Sequence, residues 1–147
     1  MVIPVATAIL YRQGRYLMQL RDNIPTIVYP GYWAFFGGHI EPGETPLEAV
    51  KREIQEEIGY TLPIEPTKLG CYCDSKIARH VFYAPLTVSL DRLVLAEGWD
   101  MGLLTPQDIK RGEFYSHRAG QVRPLSPKHR KILLEFLARD LGGDILV

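Results

Sequence analysis

Residues 38–60 read GHIEPGETPLEAVKREIQEEIGY, and they hold six of the seventeen acidic residues of a chain whose net charge is zero. Like charges at helical spacing repel one another, so this crowding costs stability unless something positive neutralises it. Thr45 followed by Pro46, with Glu48 three residues beyond Thr45, predicts a capping box and a helix start. Gly59 supplies a left-handed stop, which bounds the helix at about Pro46 to Ile58. At about 100° per residue, Leu47, Val50, Ile54 and Ile58 form a core-facing stripe. Glu53, Glu56 and Glu57 lie together on a neighbouring face, and Arg52 sits beside them, four residues from both Glu48 and Glu56.

A convergent set of carboxylate oxygens on a rigid helix suits a hard divalent cation such as Mg²⁺ or Mn²⁺. The plainer reading is a solvated helix with i,i+4 pairs of about 0.2–0.5 kcal/mol each. Periodicity alone does not separate the two. The preceding loop bears on the choice, because Gly37-Gly38 and Pro42-Gly43 allow a tight path that returns carbonyls and Glu44 toward the helix.

Outward from this segment, the chain of 147 residues is expected to form one domain with one core. Its 46% hydrophobic and 23% charged composition excludes a disordered chain. No apolar run approaches membrane-spanning length. The N-terminal MVIPVATAIL lacks a basic leader and reads as a strand, so a cytoplasmic location is the expectation. Zero net charge argues against bulk nucleic-acid binding. Between Lys110 and Lys131, however, seven Lys or Arg stand against one acid, Glu113. That region is either a solvated face or a positive rim for an anionic ligand.

Val2 to Leu10 and Tyr16 to Leu20 predict a hairpin turning at Gln13-Gly14. Asp22 to Tyr32 reads as a loop, and Trp33 to Phe36 as a short strand. Leu62 to Asp74 and Lys76 to Leu90 predict two longer strands, and Leu93 to Leu95 a short one. Thr105-Pro106 and Ser126-Pro127 repeat the capped-proline helix start, giving a turn to about Lys110 and a last helix to about Asp140. Gly142-Gly143 is expected to end that helix. Strands interleaved with hairpins and helices predict a mixed α/β class with a mixed sheet. Cys71 and Cys73 share one strand face. With no further cysteine and no nearby histidine, zinc is not expected there, and buried free thiols are.

Gly38, five residues, Glu44, seven residues, then Arg52-Glu53-Ile54-Gln55-Glu56-Glu57-Ile58-Gly59-Tyr60 resembles the Nudix box at every fixed position. Only Tyr60 stands where an aliphatic residue is commoner. Trp33-Ala34-Phe35-Phe36-Gly37-Gly38 resembles the family's aromatic entry strand, with Phe36 where many members have proline. Glu97-Gly98 and Met101 through Ile109 resemble its later region. The resemblance implies a Nudix fold, a mixed sheet sandwiched between helices, as a single domain over residues 1–147. It implies Mg²⁺-dependent hydrolysis of a nucleoside diphosphate linked to another group, with Mn²⁺ as a substitute. Carried over by position, Glu53, Glu56, Glu57 and the Gly38 carbonyl would hold metal, and Arg52 would orient the glutamates. Glu44 would brace the loop or stand in an outer shell. Glu53, Glu57 and, outside the box, Glu97 are the candidates for the general base.

Substrate contacts are less sharply marked. Arg21 faces either the phosphates or a surface partner, Asp22. Tyr29, Tyr32 and Trp33 either stack on a base or pack the sheet. His39 follows the first glycine of the box and is a further candidate; His117 and His129 are weaker ones. The stretch Asp74 to Ala78 carries neither the proline of many ADP-ribose hydrolases nor the tyrosine of dinucleoside polyphosphate hydrolases. A nucleoside triphosphate or related nucleotide derivative is therefore the expected small-molecule substrate. The alternatives are a non-catalytic ligand sensor and a hydrolase of nucleotide sugars or capped RNA. Family members are often homodimers.

Overall fold

The computed structural model describes residues 2–27 and 29–139. Two compact units emerge, one from the chain up to Leu10 with Phe36–Ala96, the other from Tyr11–Phe35 with the chain from Glu97.

In the first unit, β1 (Ile3–Arg12, through Leu10), β4 (Phe36–His39), β5 (Thr67–Cys73) and β6 (Ile77–Pro85) run in the order β4-β1-β6-β5. β4 lies antiparallel to β1, with Ala6 opposite Gly38 and Thr7 opposite Gly37. At Gly37 a side chain would strike the Ala6 carbonyl at 2.2 Å, so two backbones approach there as only glycine allows. Helix α1 (Pro46–Ile58) forms as its sequence demands. Thr45 and Glu48 close the capping box, Gly59 takes the left-handed conformation, and Ala49, Val50, Ile54 and Ile58 are buried. This helix packs on β4. Leu47, assigned to the same stripe, is only partly covered.

The second unit builds β2 (Arg15–Leu20) against β3 (Trp33–Ala34) and against β7 (Asp100–Leu104), both antiparallel. A separate hairpin joins β8 (Glu113–Ser116) to β9 (Gln121–Pro124). Helices α2 (Pro106–Arg111) and α3 (Pro127–Arg139) pack together, and Arg130 of α3 donates from Nε to the Ile109 carbonyl at 2.8 Å. Leu17, Leu20, Trp33, Leu104, Ile109, Leu133 and Phe136 fill this unit's interior. The expected end of α3 near Asp140 and the stop at Gly142-Gly143 lie outside the described residues.

Several expectations are corrected. Residues 62–66 are not strand, and two of them, Pro63 and Pro66, lack the N–H a ladder needs. β6 ends at Pro85, and Leu90–Arg92 makes a 3-10 turn. Leu93 to Leu95 is not a strand. Its Val94 N–H instead caps the Ile58 carbonyl at 3.1 Å, and Ala96 N–H the Glu57 carbonyl at 2.9 Å. β7, β8 and β9 were not expected. Among the described residues no helix is long and apolar enough to cross a membrane.

Candidate functional site

The box carboxylates all belong to the first unit, and Arg52 gathers most of them. Its Nε and Nη2 reach the two oxygens of Glu44 at 2.7 and 3.0 Å, a two-bonded fork. Nη1 donates to Glu53 Oε2 at 3.0 Å and to Glu56 Oε1 at 3.2 Å. Nη2 also donates to the His39 carbonyl at 3.1 Å, which ties the loop to the helix. The repulsion expected from sequence is thus relieved by a guanidinium placed inside the cluster, 24% exposed. Glu48 is not one of its partners: that side chain accepts from Thr45 N–H in the capping box.

Glu57 turns the other way, and its Oε1 accepts the Gly37 N–H at 2.9 Å. Glu53 presses on the main chain at Gly38, where an added Cβ would lie 2.6 Å from its carboxyl carbon. Burial pushes the Glu53 carboxyl above the ordinary range, with Arg52 working against that rise. The Arg52 hydrogen bonds, helped by the Glu41 backbone, hold Glu44 below its ordinary value. Glu44, with Glu53, in turn raises the Arg52 pKa, keeping it fully cationic.

Among the described residues, no three His, Cys, Asp or Glu side chains close into a ready metal cage. Glu53, Glu56 and Glu57 therefore share a region of the helix surface without meeting at one point. The donors nonetheless suit a hard cation. Glu53 and Glu56 already share one positive charge, Glu56 is 59% exposed and has room to swing, and Gly38, lacking a side chain, lets the Glu53 carboxylate rest against the main chain.

The remaining candidates lie elsewhere. Glu97 is exposed on a bend, and Arg21, half-buried, pairs through its backbone with Tyr32 and Gly31 to close the loop between them; all belong to the second unit. Trp33 resolves to packing: it is 0% exposed, and its indole N–H donates to the Phe114 carbonyl at 3.0 Å, leaving no face for a base. Tyr32 is half-buried with its ring 5.9 Å from Tyr29, and Tyr29 lies 6.1 Å from His129. His129 accepts the Phe35 N–H at Nδ1 and stacks on that ring at 4.6 Å. The two residues stand 94 positions apart, so nothing local announced the pair. In the first unit, His39 is exposed. Cys71 and Cys73 are exposed rather than buried, and His80 lies beside them.

Comparison with known proteins then places the chain. The family model described as "NUDIX domain" matches residues 1–136. Over 70 residues, 48% of this chain and 49% of the relative, it is 51% identical to a protein named nucleoside triphosphatase NudI from Enterobacter sp. (strain 638). The chain thus spans about half the length of the curated relatives it matches. The MutT protein of Methanosarcina mazei Go1 superposes with a TM-score of 0.74 at 20% identity, covering 95% of this chain and 96% of that one. The NUDIX domain of Shewanella oneidensis NrtR, solved with ADP ribose, superposes at 0.70 and 18% identity over 95% and 88%. These likenesses fix the fold class as the mixed α/β arrangement expected. With its box intact and its family model matched over nearly the whole length, the chain belongs to the NUDIX family.

Proposed function

We propose that the chain is a Mg²⁺-dependent pyrophosphohydrolase, with Mn²⁺ as a substitute, acting on a nucleoside triphosphate or a related nucleotide derivative. The observation that carries this reading is the Arg52-centred cluster joining Glu44, Glu53 and Glu56, with Glu57 anchored on Gly37 N–H. A relative named for nucleoside triphosphatase activity supports the substrate class. In this reading Glu53, Glu56, Glu57 and the Gly38 carbonyl hold the cation. When bound, the cation neutralises phosphate oxygens and lowers the pKa of a water. Arg52 holds Glu53 and Glu56 in their orientations, and Glu44 fixes Arg52 from the far side. Glu53, pressed against the Gly38 main chain, is the first base to test. Glu57 and Glu97 are the other bases to test. Arg21, Tyr32 and His39 are proposed substrate contacts.

We further propose that residues 1–147 act as one cytoplasmic domain that forms a homodimer, without a nucleic-acid substrate. The alternative reading is ligand sensing without turnover. The experiment is phosphate and pyrophosphate release from a panel of nucleoside triphosphates, nucleotide sugars, ADP-ribose and capped RNA, with Mg²⁺ or with chelator. Metal-dependent turnover of a triphosphate supports the proposal. Tight binding of a nucleotide without turnover would overturn it in favour of sensing.

A further inference from the structure

The side of the β5–β6 hairpin that carries Cys71 and Cys73 holds a second chemical grouping, unrelated to the box. Cys71 and Cys73 place their sulfurs 3.4 Å apart, and both residues are exposed. His80, paired with Cys71 across the ladder, brings Nε2 to 4.0 Å from the Cys71 sulfur. Lys68 Nζ lies 3.1 Å from His80 Nδ1. In a regular strand Lys68 and Cys71, three residues apart, would face opposite sides. The ladder slips between Lys68 and Gly70, so the bulge turns Lys68 onto the cysteine face.

The hydrogen-bond directions follow from the donors available. A lysine ammonium only donates, so His80 accepts at Nδ1 and carries its proton on Nε2. That N–H points at Cys71, and Cys73 is the sulfur's other neighbour. We propose that Cys71 and Cys73 form a reversible thiol-modification site, with Cys71 as the attacking sulfur and Cys73 as the resolving one, oxidised by low-molecular-weight disulfides.

The chemistry balances as two exchanges. Cys71 loses its proton to solvent and attacks one sulfur of the reagent disulfide, whose S–S bond breaks to release one thiolate. Cys73, deprotonated in turn, attacks the Cys71 sulfur of the mixed disulfide and expels the second thiolate. Two electrons pass from the cysteine pair to the reagent, and the two protons end on the released thiols. Two residues along a strand span roughly 6.4–6.8 Å. That is the upper edge of the separation a disulfide bridges, so the product is strained and readily reduced. Partial desolvation of the exposed sulfur and the Cys73 neighbour hold the Cys71 thiol above the ordinary range, with Lys68 pulling the other way. Cys71 therefore rests as a thiol and answers sustained oxidant.

The test treats the folded protein with glutathione disulfide and follows intact mass and the tryptic peptide spanning residues 69–76. The expected product is lighter by two hydrogens, bridged within that peptide, and returns to the dithiol with reduced glutathione. Cys73→Ser should stop at a single glutathione adduct on Cys71, and His80→Ala should slow its formation by about tenfold. A wild-type protein ending with two stable adducts, or one unreacted under conditions that oxidise a small dithiol, would overturn the proposal. So would Cys71→Ser reacting as fast as Cys73→Ser.

Discussion

Replacing Gly38 by alanine puts a methyl group where the Glu53 carboxylate now rests. The new Cβ would lie 2.6 Å from Glu53 Cδ and Oε2 and 2.7 Å from Oε1. Ordinary contact begins at 3.4 Å, so the carboxylate must retreat by roughly 0.8 Å. Functional groups tolerate only about 0.5 Å of misplacement, and about 1 Å costs on the order of 10²-fold in rate. That corresponds to about 2.7 kcal/mol of lost transition-state stabilisation. The fold should suffer far less. Gly38 is not at positive φ, and the atoms it meets are the movable end of a side chain. Alanine in a strand also regains about 0.5–1 kcal/mol over glycine. Gly38→Ala should therefore melt within about 4 °C of wild type while kcat on the best triphosphate falls about a hundredfold. Gly37→Ala provides the contrast: its Cβ meets the backbone of Ala6 at 2.2 Å and of Thr7 at 2.6 Å. That variant should lose about 3 kcal/mol of stability in chemical denaturation. A folded Gly38→Ala protein within threefold of wild-type kcat would refute the placement of Glu53 at the reacting centre.

Other outcomes follow from the same geometry. Arg52→Lys keeps the charge but loses the fork to Glu44, so kcat should fall at least tenfold, with Lys51→Arg as an inert control. At Asp108, burial alone would raise the pKa, but hydrogen bonds from Thr105 and Arg111 outweigh it and hold the group below its ordinary value. Its stabilisation is therefore full above the unfolded carboxylate range and fades as pH falls through the lower folded value. The melting difference between wild type and Asp108→Asn should accordingly be larger at pH 7 than at pH 3; an equal difference would contradict the sign. Trp33→Phe removes the bond to the Phe114 carbonyl and leaves a void, which should cost about 2 kcal/mol in urea titration. A changed KM with unchanged stability would instead restore Trp33 as a ligand contact.

What could be read from sequence was local. Thr45, Glu48 and Gly59 bound α1 through contacts within a few residues, and the structure reproduces those bounds. The Thr105 and Ser126 starts hold for the same reason, and Thr105 closes a second capping box with Asp108. Leu93 to Leu95 looked like a strand because aliphatic runs satisfy strand patterning, yet Val94 and Ala96 send their N–H groups to the end of α1. β8 and β9 are short and largely exposed, so they lack the apolar alternation that marks a strand. Within the box, spacing placed the glutamates on one side of the helix but not their rotamers. That Arg52 would fork onto Glu44, and Glu57 onto Gly37 N–H, depends on how the loop folds back. The cysteines were misjudged because strand alternation says which residues share a face, not which face is covered.

The central claim is that the α1 carboxylates hold a divalent cation, and the melting temperature of wild type against Glu56→Gln/Glu57→Gln, each with Mn²⁺ and with chelator, tests it most directly. At a metal concentration about 100 times the dissociation constant, binding to the folded state adds about 2.7 kcal/mol. For a chain of this size that raises the wild-type melting temperature by roughly 5–10 °C. The double variant should lose most of that rise. An equal rise in both proteins, or none in wild type at millimolar Mn²⁺, would contradict the account.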